Sequence, residues 1–202
     1  MRIPRADAPG LTHIYGPNAT VSMVSWLKWQ TTPDWHAGAF VGGVWNEYKK
    51  ARQYAIFMNL SVCEPTNAAI GHVSAVGGPT PGHKYCVTRA CSGHGVPLDR
   101  WQCVATTYDS IAIRAYINGV LYPEPGNNPY PYPKGIYQPS SDAEGADFSI
   151  GANFVNETSG GPALIHNRFN GLMGGLAVYK QALTEDEVRI ACSSAPGFNG
   201  TQ

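Results

Sequence analysis

Residues 99–121 read DRWQCVATTYDSIAIRAYINGVL. Two runs rich in aromatic, β-branched and small residues, 101–108 and 111–117, flank Asp109-Ser110, a tight hairpin turn, and Asn118-Gly119 closes the second run with a strong turn signal. In the second run Ile111, Ile113, Ala115 and Ile117 fall on one side, with Arg114 and Tyr116 on the other. A hairpin burying one face and turning the other outward is the expected structure.

Working outward, the same period of two recurs. In VSMVSWLKW (21–29) Val21, Met23, Ser25 and Leu27 oppose Ser22, Val24, Trp26 and Lys28; in ARQYAIFMNL (51–60) Tyr54, Ile56, Met58 and Leu60 oppose Gln53, Ala55, Phe57 and Asn59. DFSIGA (147–152) and GLMGGLAVYK (171–180) supply two more strands. One helix is expected, from Thr184 to about Cys192. Thr184 and Glu187 form a capping-box pattern, and the acidic first turn suits the helix dipole, so Glu185, Asp186 and Glu187 are read as capping residues rather than as a catalytic or cation site. The stretch 127–145, rich in Pro, Tyr and Gly, should leave the sheet and cross an edge or rim, because proline has no ladder N–H. The fold class is all-β, a two-sheet antiparallel β-sandwich with one short C-terminal helix, forming a single domain over 1–202 with its core in about 14–192.

Composition agrees with that class. The chain has 23 Gly and 16 Pro with 43% hydrophobic residues, the balance of short strands joined by turns rather than of helices or disorder. Fourteen basic residues balance fourteen acidic ones, so no net field gathers polyanions, and nucleic acid is not an expected partner. No apolar run approaches the length of a membrane span, and 1–13 has no signal-peptide core. Secretion is still expected, from the acceptor patterns for N-glycosylation at Asn18, Asn59, Asn156 and Asn199 and from the cysteines. Five cysteines, 63, 86, 91, 103 and 192, allow at most two internal bridges. The spacing of Cys86 and Cys91 suits closure of a small loop by a disulfide; zinc is the alternative, but no second pair stands at ligand spacing.

Three segments resemble, in order, the laminin G-like (LamG) domains of the concanavalin A-like lectin/glucanase superfamily. Trp101, Tyr108, Asp109, Tyr116, Asn118 and Gly119 resemble the family's central hairpin. TVSMVSWLKW (20–29) looks like its early strand, and DFSIGA with FNGLMGGLAVYKQALTEDEV (169–188) looks like its closing run. The resemblance implies a jelly roll. That fold hosts lectins, carbohydrate-binding modules, pentraxins, adhesion domains and glycan-cleaving enzymes, so the function has to be sought in a site.

On parity alone, Trp26, Lys28, Arg114 and Tyr116 form an outward aromatic and basic face suited to stacking on a pyranose and to bonding hydroxyls or a uronate. Trp45, in a turn at the rim, is a second candidate platform or else a plug for the core, with Gln53 following it. His72, His83 and His94 are candidate bases or solvated loop residues, His72 being the one placed with the sugar contacts. Asp142, Glu144 and Asp147 are weak candidates for calcium, the one cofactor the resemblance suggests. No pair of carboxylates stands on one strand face for glycoside hydrolysis. The leading expectation is a carbohydrate-binding, lectin-like domain with a glycan or polysaccharide partner. A small polysaccharide lyase or glycoside hydrolase, drawing on Gln53, His72, Arg114 and Tyr116, is the alternative, and an adhesion or protein-interaction domain the second.

Overall fold

The computed structural model describes residues 1–30, 38–156 and 164–194, with the side chains of 155, 156 and 164 left aside. Its strands are β1 (Arg2–Ile3), β2 (Val21–Trp29), β3 (Ala39–Asn46), β4 (Ala51–Met58), β5 (Ala68–Val73), β6 (Arg89–Gly95), β7 (Trp101–Tyr108), β8 (Ala112–Ile117), β9 (Val120–Leu121), β10 (Tyr130–Pro131), β11 (Phe148–Ile150), β12 (Asn153–Asn156), β13 (Leu164–His166) and β14 (Gly171–Tyr179). A single turn, α1 (Pro9–Thr12), precedes β2, and the longer helix α2 (Glu185–Ser193) follows β14. One sheet has the order β1-β11-β3-β4-β5-β6 and is called here the front sheet; the back sheet has the order β10-β8-β7-β2-β14, with β9 paired to β8. Every pairing is antiparallel. The expected two-sheet sandwich is the fold observed.

The alternation of the sequence becomes the core. Val21, Met23, Leu27, Val104, Tyr108, Ile113, Ala115 and Ile117 of the back sheet pack in one buried cluster with Val44, Tyr54, Ile56, Met58, Ala69 and Val73 of the front sheet. The sheets approach closely at Gly71, where an added Cβ would overlap the Thr106 side chain and stand 3.3 Å from Ile113 Cγ2. Ile111 departs from the expected register: it lies in the turn before β8 and is 65% exposed. Asp109 Oδ1 accepts from the N–H groups of Ile111 and Ala112 at 2.9 and 2.7 Å, fixing the turn so that the inward series begins at Ile113. At the other end of β8, Asn118 and Gly119 take the positive φ values of 52° and 78° that their turn requires, and Asn118 Oδ1 accepts from Cys103 N.

The proline-rich segment is more ordered than a crossing loop. Tyr130-Pro131 adds to the edge of β8, opposite Ile113 and Ala112, where the missing proline N–H disturbs no further strand. Tyr132 and Ile136 then enter the core; Tyr132 O accepts from Tyr108 Oη at 2.8 Å, and Tyr132 Oη accepts from Ala75 N at 2.8 Å. Helix α2 starts as expected, with Thr184 and Glu187 forming a reciprocal capping box.

The cysteine pairing differs from the spacing-based expectation. Cys63 bonds Cys91 and Cys103 bonds Cys192, leaving Cys86 as a free thiol beside Thr88 Oγ1 at 3.2 Å. Sheet geometry overrides proximity in sequence: Cys91 lies on β6 opposite Ile70, and its side chain joins Cys63 in the apolar cluster on the outer face of the front sheet. The Cα atoms of the two bridges are 5.8 and 5.5 Å apart. Among the described residues no helix is long and apolar enough to cross a membrane. Of the glycosylation acceptors, Asn18 is exposed and Asn59 is 6% exposed, too enclosed to carry a glycan; the Asn156 side chain and Asn199 lie outside the described residues.

Non-reducing peptide mapping is expected to recover the 63–91 and 103–192 pairs, with only Cys86 alkylated in the native protein. Replacing Cys103 and Cys192 together by Ser should lower stability by about 2–5 kcal/mol, because that bridge closes the longer loop. Chemical denaturation reads the loss; recovery of an 86–91 peptide would contradict the pairing.

Candidate functional site

The back-sheet face expected to meet sugar is covered over Tyr116 by α2, while its far end, with Trp101 43% exposed, stays open. Trp26 and Tyr116 do leave the inter-sheet core, but Tyr116 is only 2% exposed, because Val24, Cys103, Ala105 and Tyr116 pack under Leu183, Val188 and Cys192 of the α2 region. Trp26 joins that layer and donates its indole N–H to Cys192 O at 3.0 Å. Arg114 is taken up by Asp109 at 2.7 Å. Burial works to raise the pKa of Asp109, but the N–H of Ala112, the Arg114 guanidinium and the N–H of Ile111 together bring it below the usual carboxylate value. Lys28 remains half-buried at the far end of the same face, opposite Trp101 and Leu172 on its neighbours. Parity assigns a side chain to a face and says nothing about what later lies on that face.

The outer face of the front sheet carries a cavity. About 400 Å³ in volume, within the range of small-ligand sites, it is lined by Trp45, Glu47, Arg52, Phe57, His72 and Tyr85, among others. Strand pairing builds its floor: Trp45 on β3 faces Arg52 on β4, Ala55 on β4 faces His72 on β5, and His72 faces Arg89 on β6. Trp45, Phe57 and His72 form a mutually edge-on triad with ring centroids 5.3–5.5 Å apart. Trp45 is thus not a rim turn with an open stacking face: it is next to last in β3, is 3% exposed, and serves as floor. The exposed ring at the mouth is Tyr85, 58% accessible, with Lys84 Nζ 5.2 Å from its centroid.

The floor is polar and incompletely bonded. His72 is 3% exposed, and neither ring nitrogen has a hydrogen-bond partner. Burial foremost, then the Arg89 and Arg52 cations, push its pKa down to about 3, opposed only by a Thr88 backbone contact too poor in geometry to be a hydrogen bond. The ring is therefore neutral at physiological pH, with one donor and one acceptor to offer. The Arg52 guanidinium sits 5.9 Å from the Trp45 ring centroid, 3.6 Å from Glu47 Oε2 and 3.4 Å from Gly77 O, while its Nε has no partner.

Other expected residues stand apart. Gln53 is buried against the N-terminal segment, donating to Ile14 O at 3.3 Å and accepting from Arg5 Nη1. His94 packs on Tyr122 with centroids 4.0 Å apart, and neither it nor His83 lines the cavity. The acidic calcium candidates are engaged with cations: Asp142 binds Arg5 and His13, with Arg5 chiefly lowering its pKa, and Asp147 binds Arg2 and the Arg5 N–H. Glu144 is exposed in the short 3-10 turn between them. Among the described residues no three His, Cys, Asp or Glu side chains group as a metal site. Sequence reading reached Trp45 and His72 but not Phe57, Tyr85 or the pairing of Arg52 with Trp45. The short turn after Trp45 could have signalled that pairing, whereas nothing local brings Tyr85 to the cavity mouth.

Residues 6–189 match the family model described as the concanavalin A-like lectin/glucanases superfamily. No curated protein matches the sequence. Among solved structures, a heptameric SAP-like pentraxin from Limulus polyphemus superposes with TM-score 0.56 and 13% identity over 90% of this chain and 74% of its own. Domain 4 of AbnA, an extracellular GH43 arabinanase from Geobacillus stearothermophilus solved with arabinotriose, gives 0.51 and 20% over 95% and 71%. A provisionally assigned carbohydrate-binding protein from Bacteroides ovatus gives 0.52 and 14% over 85% of this chain, which spans only 40% of that protein. At these identities the likeness is one of fold.

Two measurements check this layout. Tyr116→Ala is expected to cost about 3–5 kcal/mol in denaturant unfolding, as loss of a buried ring does. His72, with its folded-state pKa lowered, favours the folded state fully above the ordinary histidine value of about 6.5, and that stability drains away as pH falls toward 3. The Tm of wild type should therefore fall between pH 7 and 4 by more than that of His72→Gln; parallel curves would show that His72 is not buried as a neutral ring.

Proposed function

We propose that this chain, which belongs to the concanavalin A-like lectin/glucanases superfamily, is an extracellular carbohydrate-binding domain whose ligand occupies the front-sheet cavity. The observation that carries the reading is the unpartnered, 3% exposed His72 in the floor of that cavity. A buried imidazole without partners is costly unless something completes it. A sugar hydroxyl, donor and acceptor at once, matches a neutral imidazole, and the aromatic edges around it suit the apolar C–H surface of a pyranose. The solved relatives that carry carbohydrate in their descriptions support the same class of ligand. Two disulfides fit an oxidising compartment.

Binding is favoured over turnover. Glu47 is the one carboxylate among the described lining residues and is held by Arg52 and by Trp45 Nε1, whereas glycoside hydrolysis calls for two. A histidine with pKa near 3 is also a weak general base at neutral pH, which disfavours the lyase alternative.

The test is a glycan array followed by calorimetric titration of any hit. Tyr85→Ala, at the exposed mouth, should weaken binding by about 1 kcal/mol or more with the fold intact, and His72→Gln should weaken it further. Trp101→Ala, an exposed ring on the back sheet, should leave affinity unchanged. If only Trp101→Ala reduced binding, the site would lie on the opposite sheet.

A further inference from the structure

The cavity floor also has a charge character that a neutral sugar would not use. Two guanidinium groups flank His72: Arg52 in the lining, where it pairs with Glu47, and Arg89 just outside it on the neighbouring strand, bonded to the carbonyls of the lining residues Val62 and Val87. In a chain whose fourteen basic and fourteen acidic residues cancel, this excess of positive charge is local. Arg52 is about 4% exposed, and its contacts to Glu47 and Gly77 O, at 3.6 and 3.4 Å, are long for hydrogen bonds. Arg89 spends both Nη groups on neutral acceptors, Val87 O at 3.3 Å and Val62 O at 2.6 Å. The Nε of each arginine is buried without a partner.

Resting on the carbohydrate reading above, we infer that the cavity selects a sugar residue bearing a carboxylate, its anionic group set toward Arg52 and the Arg89 side of His72. A hydroxyl can satisfy one N–H but leaves the charge of half-buried Arg89, which bonds only carbonyls, uncompensated; a carboxylate does both, and its planar oxygens match a guanidinium edge. The neutral imidazole of His72 adds one N–H to the anion, and its bare nitrogen accepts from a neighbouring hydroxyl. Trp45, Phe57 and Tyr85 supply apolar surface for the ring.

The experiment titrates the disulfide-intact protein with matched oligosaccharides: oligogalacturonate, oligomannuronate and a hyaluronan tetrasaccharide, each beside its carboxyl-reduced counterpart, with a sulfated galactan as a further anion. At least one acidic member should bind about tenfold or more tighter than its reduced partner, the scale of one charge-assisted hydrogen bond. That preference should shrink as salt rises from about 0.05 to 0.5 M. Arg89→Gln, at a half-buried position, and Arg52→Lys should both reduce the acid-to-neutral ratio, with circular dichroism and Tm confirming folded protein. Equal binding of acidic and reduced partners would overturn the acidic preference while leaving the cavity as a sugar site. Tighter binding of the sulfated galactan than of every uronate would overturn it in favour of sulfate. Binding of none of these, with neutral glycans also silent on the array, would overturn both readings.

Discussion

A β-sheet has two faces, and a two-sheet sandwich buries only one face of each. The other two must be covered, solvated or used, and this constraint organises the molecule. On the back sheet, α2 is laid across Val24, Ala105 and Tyr116, capped at Thr184 and tied through Cys192 to Cys103 of β7. On the front sheet the outer apolar cluster of Phe40, Trp45, Phe57, Ile70, Cys63 and Cys91 has no such helix among the described residues, and the cavity lies beside it. The closing helix and the cavity are two answers to the same problem.

The two covers differ in chemistry. Beneath α2 the polar groups are spent locally: Trp26 donates to Cys192 O, and Arg114 is neutralised by Asp109. Beneath the cavity they are not: His72, Arg52 and Arg89 each keep a buried nitrogen without a partner. Folding normally removes such orphans because each costs on the order of 1–3 kcal/mol. Four of the seven such atoms among the described residues gather here, next to open volume, which supports the proposed site over a merely packed surface.

The disulfides serve the same division. Cys103–Cys192 anchors the helix that closes one face, while Cys63–Cys91 ties the loop after β4 to β6 beside the cavity on the other. Cys86 lines the cavity, and its thiol is left out of both bridges. Spacing suggested that Cys86 and Cys91 close a small loop, but strand register carries Cys91 to the sheet surface where Cys63 waits. Pairing is a matter of where Cβ vectors meet in space, which neither count nor spacing contains.

Short-range physics made much of this protein legible. Period-two alternation assigned Ile113, Ala115 and Ile117 to the core, Asn118-Gly119 fixed a turn, and Thr184 with Glu187 marked the start of α2; each depends on residues within a few positions of one another. Trp45 and His72 could be named as candidates, but their burial, their edge-on contact and their company with Arg52 depend on three strands meeting in register. The burial of Tyr116 and the partial burial of Trp26 have the same origin: alternation gave the correct face, but the element covering it comes from more than sixty residues further along the chain. Sequence by itself determined which residues within the strands leave the inter-sheet core, missing only at strand ends such as Ile111 and Leu60. Only the tertiary structure decided which of those faces stays open, because covering a face is a long-range contact that no local pattern encodes.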